Sequence, residues 1–280
     1  MGLERAAGEY VAVLETDDWA AEDMYRCLYE RAAGDRLDYA AADFDTFFHL
    51  QNGYAYFTRQ HIFPDRKLDL NGAGKRPGRD WYGRVLGSEE IAVLRSADYT
   101  LWRGIYNRNF INANEIRLHE SPGAAFQDMG FLQQVKTYGK RAEYIDESFY
   151  RYRQGREKAS SGCPEGLRYY EGEFRWLAEQ RALSCRLSGE HKRYYYLTMS
   201  IAFLTKYEQI LSGLQGDWED ERLTGPYGWF QQHISRAIAQ GLLDKKMYGE
   251  EQWERLTLLL ASREAHARMA EGREKEKEKP

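Results

Sequence analysis

The sequence has few of the residues that mark several common protein classes. Its three cysteines, Cys27, Cys163 and Cys185, are widely spaced and form no Cys-x-x-Cys pair, so neither a zinc site nor a disulfide framework is indicated. No segment approaches the roughly 18 consecutive apolar residues that a membrane-spanning helix needs, and the N-terminal residues lack the apolar core of a signal peptide. These absences favour a cytoplasmic protein without a transmembrane segment, whose contact with a membrane would be peripheral.

Charge of one sign is not in excess either. Lys and Arg number 40 against 44 Asp and Glu, which gives a formal net charge of −4 at pH 7. That balance predicts no nucleic-acid partner. Aromatic residues are plentiful at 14 %, and such rings can stack on sugars, although packing between helices is their commoner use. With 280 residues the chain can form one large domain or two modest ones.

Hydrophobic periodicity predicts an α/β part at the start of the chain. The pattern predicts strands at 10–14, 38–44, 116–118 and 143–153, a hairpin of 46–51 and 54–60 around an Asn-Gly pair, and helices at 21–33, 107–113 and 127–139. Segment 64–87 is rich in glycine, proline and charge, which is typical of a loop.

The second half of the sequence predicts helices only. The periodic segments are 164–188, 190–213, 226–242 and 249–273. Residues 271–280 are almost wholly charged and predict a frayed helix end or a tail. We therefore expect an α/β domain over 1–161, a helical region over 162–270 and a charged tail over 271–280.

A short apolar strand leads into three acidic residues near the start of the chain. Residues 8–19 read Gly-Glu-Tyr-Val-Ala-Val-Leu-Glu-Thr-Asp-Asp-Trp, so Glu15, Asp17 and Asp18 follow the strand. If the chain stays extended, alternation places Glu15 and Asp17 on one side, where two carboxylates can share Mg²⁺ or Mn²⁺ with water and a substrate phosphate. Capping of the helix that begins near Ala20 is an equally compatible role for Asp17 or Asp18.

A second group of interest is a Gly/Pro-bearing loop that ends in a carboxylate. Residues 120–131 read Glu-Ser-Pro-Gly-Ala-Ala-Phe-Gln-Asp-Met-Gly-Phe, which places Asp128 in the first turn of a predicted helix that Phe131 anchors in the core. A carboxylate held at the edge of a sheet can act as a general base. By spacing alone, an acid favoured by the helix dipole is the simpler interpretation.

Four blocks of the sequence resemble the family 2 glycosyltransferases of the GT-A type. Residues 8–19 are similar to that family's Gly-Glu-Tyr, apolar run, acid-x-Asp-Asp-Trp block, and residues 120–131 to its Glu-Thr-Pro-Gly-Ala-Ser-x-Gln-Asp-x-x-Phe block. Residues 101–110 resemble Trp-x-x-Ile-Tyr-x-Arg-x-Phe-Leu, and residues 150–161 resemble Tyr-Arg-Tyr-Arg-Gln followed by two serines. The blocks stand in the family's order and cover about residues 1–161.

The resemblance implies a partial GT-A, Rossmann-like α/β sheet followed by a helical region. It implies inverting transfer of a sugar from a nucleotide-sugar donor to a hydroxyl of a glycan or lipid-linked acceptor, as in polysaccharide biosynthesis. Asp17, helped by Glu15, would hold Mg²⁺ or Mn²⁺ on the diphosphate, and Asp128 would be the base. Glu15 stands where the family often has Asp. Gly172 replaces the Gln that processive synthases carry before Arg-Trp, so a non-processive enzyme is expected.

Two other hypotheses stay open at the sequence level. In the family, a nucleotide-binding half precedes the segment with which this chain begins, and on the order of 80 residues of that sheet are expected to be lacking. The chain would then be a truncated, non-catalytic remnant that binds at most an acceptor or a partner. A third hypothesis is a metal-dependent hydrolase, because carboxylates on an α/β sheet also serve that chemistry. The 6 scattered histidines do not support it.

Overall fold

The computed structural model describes residues 2–49, 55–63, 77–96, 98, 100–121, 125–155, 162–180, 183, 187 and 189–277. The strands are β1 (Tyr10–Ala12), β2 (Trp19–Ala20), β3 (Tyr39–His49), β4 (Ala55–Gln60), β5 (Gly104–Asn107) and β6 (Ala142–Arg153). The helices are α1 (Gly2–Arg5), α2 (Met24–Gly34), α3 (Ser88–Val93), α4 (Arg108–Ala113), α5 (Gln127–Tyr138), α6 (Gly166–Glu179), α7 (Gly189–Gly213), α8 (Glu221–Ala239), α9 (Glu250–Ala261) and α10 (Arg263–Lys277).

The six strands form one sheet in the order β1-β5-β3-β6-β2, and β4 pairs with β3. The two long strands β3 and β6 run parallel at its centre, while the other pairs are antiparallel. Strand β5 pairs with residues 39–41 of β3, and β4 pairs with residues 44–49 further along the same strand. Gly104 allows β5 to approach closely, because a Cβ there would lie 2.5 Å from the Ala40 carbonyl oxygen.

Helices cover both faces of the sheet. On one face, α2 packs its buried residues Met24, Leu28 and Ala32 against Ala40 and Ala42 of β3. On the other face lies a larger core that also includes the buried side chains of α5 to α10. The core is therefore continuous from the sheet into the helical region. None of the helices in the described part of the chain is long and apolar enough to cross a membrane.

The predicted elements are largely confirmed, with shifted bounds. The predicted strand 38–44 and the first hairpin strand form one strand, β3, which pairs with β4 as the hairpin signal predicts. The hairpin's Asn-Gly pair and residues 64–76 of the predicted loop lie outside the described residues. The predicted helix at 249–273 is two helices, α9 and α10, separated at Ser262, and the charged residues 271–277 continue α10.

The predicted strand at 116–118 is wrong. The Gln134 side chain on α5 supplies the partners that a neighbouring strand would have given, since its Oε1 accepts the Arg117 N–H at 3.2 Å and its Nε2 donates to the Arg117 carbonyl at 2.7 Å. Ile116 is fully buried. The apolar residues of this segment therefore pack beside α5 and do not form a strand of the sheet.

Candidate functional site

The acidic segment after β1 is a tight turn. Strand β1 ends at Ala12, and the Asp18 N–H donates to the Glu15 carbonyl at 3.3 Å. The extended conformation assumed from the sequence is therefore wrong beyond Ala12. Glu15, Asp17 and Asp18 lie within this turn. The positions of their carboxylates therefore depend on the contacts that fix the turn to the rest of the protein.

Strand β6 holds this turn at both ends. The Asp18 carboxylate accepts the Tyr150 hydroxyl at 3.0 Å and the Arg153 N–H at 2.8 Å. The Tyr150 hydroxyl oxygen in turn accepts the Glu15 N–H at 3.1 Å. Asp18 therefore anchors the turn and does not cap α2, whose N-cap is Asp23.

A two-residue strand, β2, follows the turn and fixes it to the sheet edge. Trp19 pairs with Arg151 and Ala20 with Tyr150. The sequence does not predict this strand, because two residues carry no periodicity. Because β2 pairs with β6, the acidic turn is held beside the end of β6 as well as after β1.

Glu15 and Asp17 are the carboxylates of the turn that could hold a hard cation. Glu15 keeps much of its surface in solvent and Asp17 is partly buried, while the Asp18 carboxylate accepts hydrogen bonds from Tyr150 and Arg153. Partial burial, together with the Asp18 charge, raises the pKa of Glu15. An all-oxygen donor set with solvent access fits Mg²⁺ or Mn²⁺, which usually keep several waters.

Asp128 lies in the first turn of α5, as predicted. Its Oδ1 accepts the N–H of the next residue, Met129, at 2.8 Å. Burial raises the pKa of Asp128 to about 6, and the charge of Glu15 is the next upward cause. The fold thus brings Asp128 within electrostatic reach of the acidic turn, which is more than a hundred residues away in the sequence.

Helices α6 and α7 contact the residue that leads into α5, two positions before Asp128. Phe126, just before α5, has a left-handed backbone with φ of 64°, which is uncommon for a bulky residue. Its ring contacts the Tyr170 ring on α6 at 4.4 Å between centroids and lies 5.1 Å from the Lys206 Nζ on α7. The helical region therefore helps to hold the loop that carries the candidate base.

An aromatic stack lines the space beside the acids. Trp102 lies between Tyr150 and Tyr152, with ring centroids 4.3 and 5.0 Å away and nearly parallel planes. Burial raises the pKa of Tyr152, and the charges of Asp18, Asp128 and Glu15 raise it further. Tyr152 therefore lies within electrostatic reach of all three acids. The sequence pattern predicts no role for either tyrosine, although both lie in the Tyr-Arg-Tyr-Arg block.

A buried acid lies behind Asp128 and was also missed. The Glu173 Oε1 of α6 is 2.8 Å from His119 Nδ1, and its Oε2 has no hydrogen-bond partner among the described residues. Burial raises the pKa of Glu173 to about 8, with Asp128 as a further cause. Trp176 stacks on His119 at 5.1 Å between ring centroids. No local sequence signal links residues that far apart.

A different group of three possible metal ligands is an ion-pair network. Among the described residues, the ligand atoms of Asp43, His61 and Asp146 lie within 4.8 Å of one another. Arg59 already bridges the two aspartates, at 3.1 Å to Asp43 and 2.6 Å to Asp146, and Arg103 lies 3.4 Å from Asp43. These guanidinium groups neutralise the carboxylates, so the group fits a structural role.

The fold is similar to solved glycosyltransferase structures. TarS residues 1–349 from S. aureus, in complex with UDP-GlcNAc, align over 98 % of this chain and 70 % of that chain, with a TM-score of 0.59 and 13 % sequence identity. At that identity the similarity concerns the fold alone. The chain thus has the mixed α/β architecture of a glycosyltransferase.

Curated relatives carry the same class of name. The chain is 32 % identical over 151 residues to the uncharacterized glycosyltransferase YibD of Escherichia coli K12, which covers 54 % of this chain and 40 % of that protein. It is 27 % identical over 152 residues to the cholesterol galactosyltransferase of Borreliella burgdorferi, over 53 % of this chain and 38 % of that protein. The chain spans about 40 % of the length of these relatives. No family model matches it.

Proposed function

We propose that this chain carries the centre of a glycosyltransferase that moves a sugar from a nucleotide-sugar donor to an acceptor hydroxyl with inversion. The observation that carries the proposal is the position of Asp128 in the first turn of α5, where burial and the charge of Glu15 both raise its pKa. Transfer needs one acid beside the leaving diphosphate and another beside the attacking hydroxyl. The charges of Asp18, Asp128 and Glu15 all raise the pKa of Tyr152, which supports a single site that contains both acids.

The chemistry assigned to Asp128 is removal of a proton. Its carboxylate takes the proton of the acceptor hydroxyl while the hydroxyl oxygen forms a bond to the anomeric carbon. The bond from that carbon to the diphosphate oxygen breaks, and its electron pair leaves with the diphosphate. Asp128 ends protonated. A carboxylate whose pKa is about 6 is ionised at neutral pH and is a stronger base than an ordinary Asp.

The acidic turn is assigned to the donor. Glu15 and Asp17 would hold Mg²⁺ or Mn²⁺, which supplies positive charge to the leaving diphosphate. The Tyr150 and Arg153 contacts to Asp18 keep the turn in place. The nucleotide sugar bound by TarS in its solved structure supports a UDP-sugar donor here, and Gly172 in place of the processive glutamine supports addition of a single sugar.

Binding of the donor is tested by isothermal titration of the 280-residue chain with UDP-GlcNAc and UDP-galactose, with and without Mn²⁺. We expect binding that depends on Mn²⁺ and is lost in Asp17→Asn. Glu22→Gln removes an exposed acid from the same segment and serves as the matched control, which should bind normally. Absence of metal-dependent binding by the wild-type chain would contradict the proposal and favour a non-catalytic binding module.

Transfer is tested by following release of the nucleotide with and without acceptor. Asp128→Asn keeps the side-chain shape but removes the base, so transfer should fall about 10²- to 10⁴-fold while donor binding stays. Rapid cleavage of the donor that needs no acceptor, and that the substitution leaves unchanged, would instead favour a hydrolase.

A further inference from the structure

One face of the β3–β4 hairpin continues the surface that carries Tyr152. Residues in register on neighbouring strands share a face, and faces alternate along a strand. Thr46 of β3 is in register with Tyr152 of β6, so Phe48, two residues further, lies on the same face. Tyr56 of β4 is in register with Phe48. The Phe48–Tyr56 pair therefore extends the face of the sheet that carries Tyr152, about 7 Å further along the strand.

The two rings of this pair are open to solvent. Tyr56 is 63 % exposed and Phe48 is 40 % exposed, although large aromatic side chains are normally more buried. The backbone of Gly155 packs close to Phe48, because a Cβ at Gly155, whose φ is +77°, would lie 3.2 Å from the Phe48 ring. The pair thus presents an exposed aromatic surface that is packed on one side against the Gly155 backbone.

Among the described residues of β3 and β4, the side chains that share this face next to the pair are polar and uncharged. Thr46, Thr58 and Gln60 lie on the same face by alternation, and the Gln60 Nε2 donates to the Thr46 Oγ1 at 3.3 Å. The charged residues of the hairpin, Asp45 and Arg59, are on the opposite face. Aromatic rings flanked by neutral hydrogen-bonding groups suit a neutral sugar ring, whereas an anionic membrane surface or nucleic acid would need cations here.

We propose that Phe48 and Tyr56 form the acceptor platform of this enzyme, on which a neutral sugar ring of an acceptor glycan stacks. The term acceptor rests on the proposed function. The platform shares a sheet face with Tyr152, and it is the proposed role of Asp128 as base that places a reacting hydroxyl near that face. The stacking itself needs no donor and no transfer.

Phe57 provides a matched control from the same strand. It is 44 % exposed, close to the value for Phe48, but lies on the opposite face, where it stacks on Phe47 at 5.6 Å and meets Trp19 at 6.2 Å. An aromatic hairpin that inserts into a membrane would use both faces. A platform for the acceptor uses only Phe48 and Tyr56.

The test is binding of the full chain to cellohexaose, maltohexaose and chitohexaose by titration NMR, without donor. We expect at least one to bind, with affinity reduced about five- to tenfold by Phe48→Ala or Tyr56→Ala. Tyr56→Trp should retain binding, and Phe57→Ala should not weaken it. Failure of the wild-type chain to bind any of the three, or equal losses in Phe57→Ala and Tyr56→Ala, would overturn the platform.

A second arm measures co-sedimentation with phosphatidylcholine vesicles and with vesicles containing phosphatidylglycerol. We expect that Phe48→Ala and Tyr56→Ala do not change the fraction of the chain that sediments with either kind of vesicle. A membrane function would instead appear as vesicle binding that falls in Tyr56→Ala and Phe57→Ala alike. The two proposals can be contradicted separately. Glycan binding that depends on Phe48 and Tyr56, without any sugar transfer, would support the platform and contradict the proposed function. Sugar transfer that Tyr56→Ala leaves unchanged would support the proposed function and contradict the platform.

Discussion

Asp128 shows how a single side chain acquires its properties from distant residues. Burial is the main reason that its pKa rises to about 6, and the charge of Glu15 adds to it. Glu173, with a pKa of about 8, holds its proton at neutral pH and so adds no negative charge beside Asp128. Of Asp128 and Glu173, only Asp128 is therefore charged at neutral pH.

The pKa of Asp128 can be measured directly by carboxyl ¹³C NMR of the metal-free chain. The midpoint should lie near pH 6, so Asp128 is a neutral acid below that pH and cannot accept a proton, and activity should fall as the pH drops through it. Glu15→Gln removes a repulsive charge and should move the midpoint to lower pH. Glu22→Gln, which removes an exposed acid just before α2, should leave the midpoint of Asp128 unchanged. An unshifted midpoint in Glu15→Gln would show that Glu15 is not close enough to affect Asp128.

At the scale of elements, the parallel pair β3–β6 positions the site through an irregularity. The register shifts on both sides of Asp43, so that Ala42 pairs with Ile145 but Phe44 pairs with Tyr150. Asp43 is buried there, and it accepts the Ile62 N–H at 3.1 Å and the Tyr82 hydroxyl at 2.7 Å. The shift sets which residues of β6 reach the acidic turn, so the Asp43 contacts indirectly place Tyr150.

Removing the Asp43 carboxylate should destabilise the protein strongly. Asp43→Ala leaves the buried Arg103 guanidinium and the Tyr82 hydroxyl without this partner, and a broken buried pair typically costs about 3–5 kcal/mol. Asp45→Ala removes a partly exposed pair with Arg151 from the same strand and face, which should cost no more than about 1 kcal/mol. Urea unfolding measures both; equal losses would show that the Asp43 network has no special weight.

At the scale of the whole molecule, the sheet and the helical region share a core. Helix α5 bears Asp128, and its Gly130 lies directly against Glu173 of α6: a Cβ at Gly130 would be 2.1 Å from the Glu173 Oε2. The division expected between 1–161 and 162–270 stays a prediction about domains. The packing makes the helical region part of the support of the candidate base.

This contact predicts opposite effects for two glycine substitutions in helices. Gly130→Ala should destabilise the chain by about 1–2 kcal/mol, because the overpacking against the fully buried Glu173 exceeds the gain in helix propensity. Gly172→Ala in α6 meets nothing within 4 Å and should stabilise by up to about 1 kcal/mol. Thermal unfolding distinguishes them, and a stabilised Gly130→Ala would show that α5 and α6 are not closely packed.

Much of the fold follows from local patterns. The helix over α5, the strand β6 and the antiparallel pairing of β3 with β4 are predictable because amphipathic periodicity and an Asn-Gly turn are local signals. The strand expected at 116–118 fails for a non-local reason, since Gln134 replaces the strand partner. Strand β2 escapes prediction because its pairing with β6 alone defines it.

The sequence by itself determined the order of the blocks, the acids Glu15, Asp17 and Asp128, and the change from an α/β part to a helical part. Only the tertiary structure decided that Asp18 anchors the turn on Tyr150 and that Glu173 lies behind Asp128. It also decided which face of the hairpin continues toward the acids. The reason is physical: strand register and burial join residues that are distant in the sequence, such as Asp18 with Tyr150, and no local pattern encodes either.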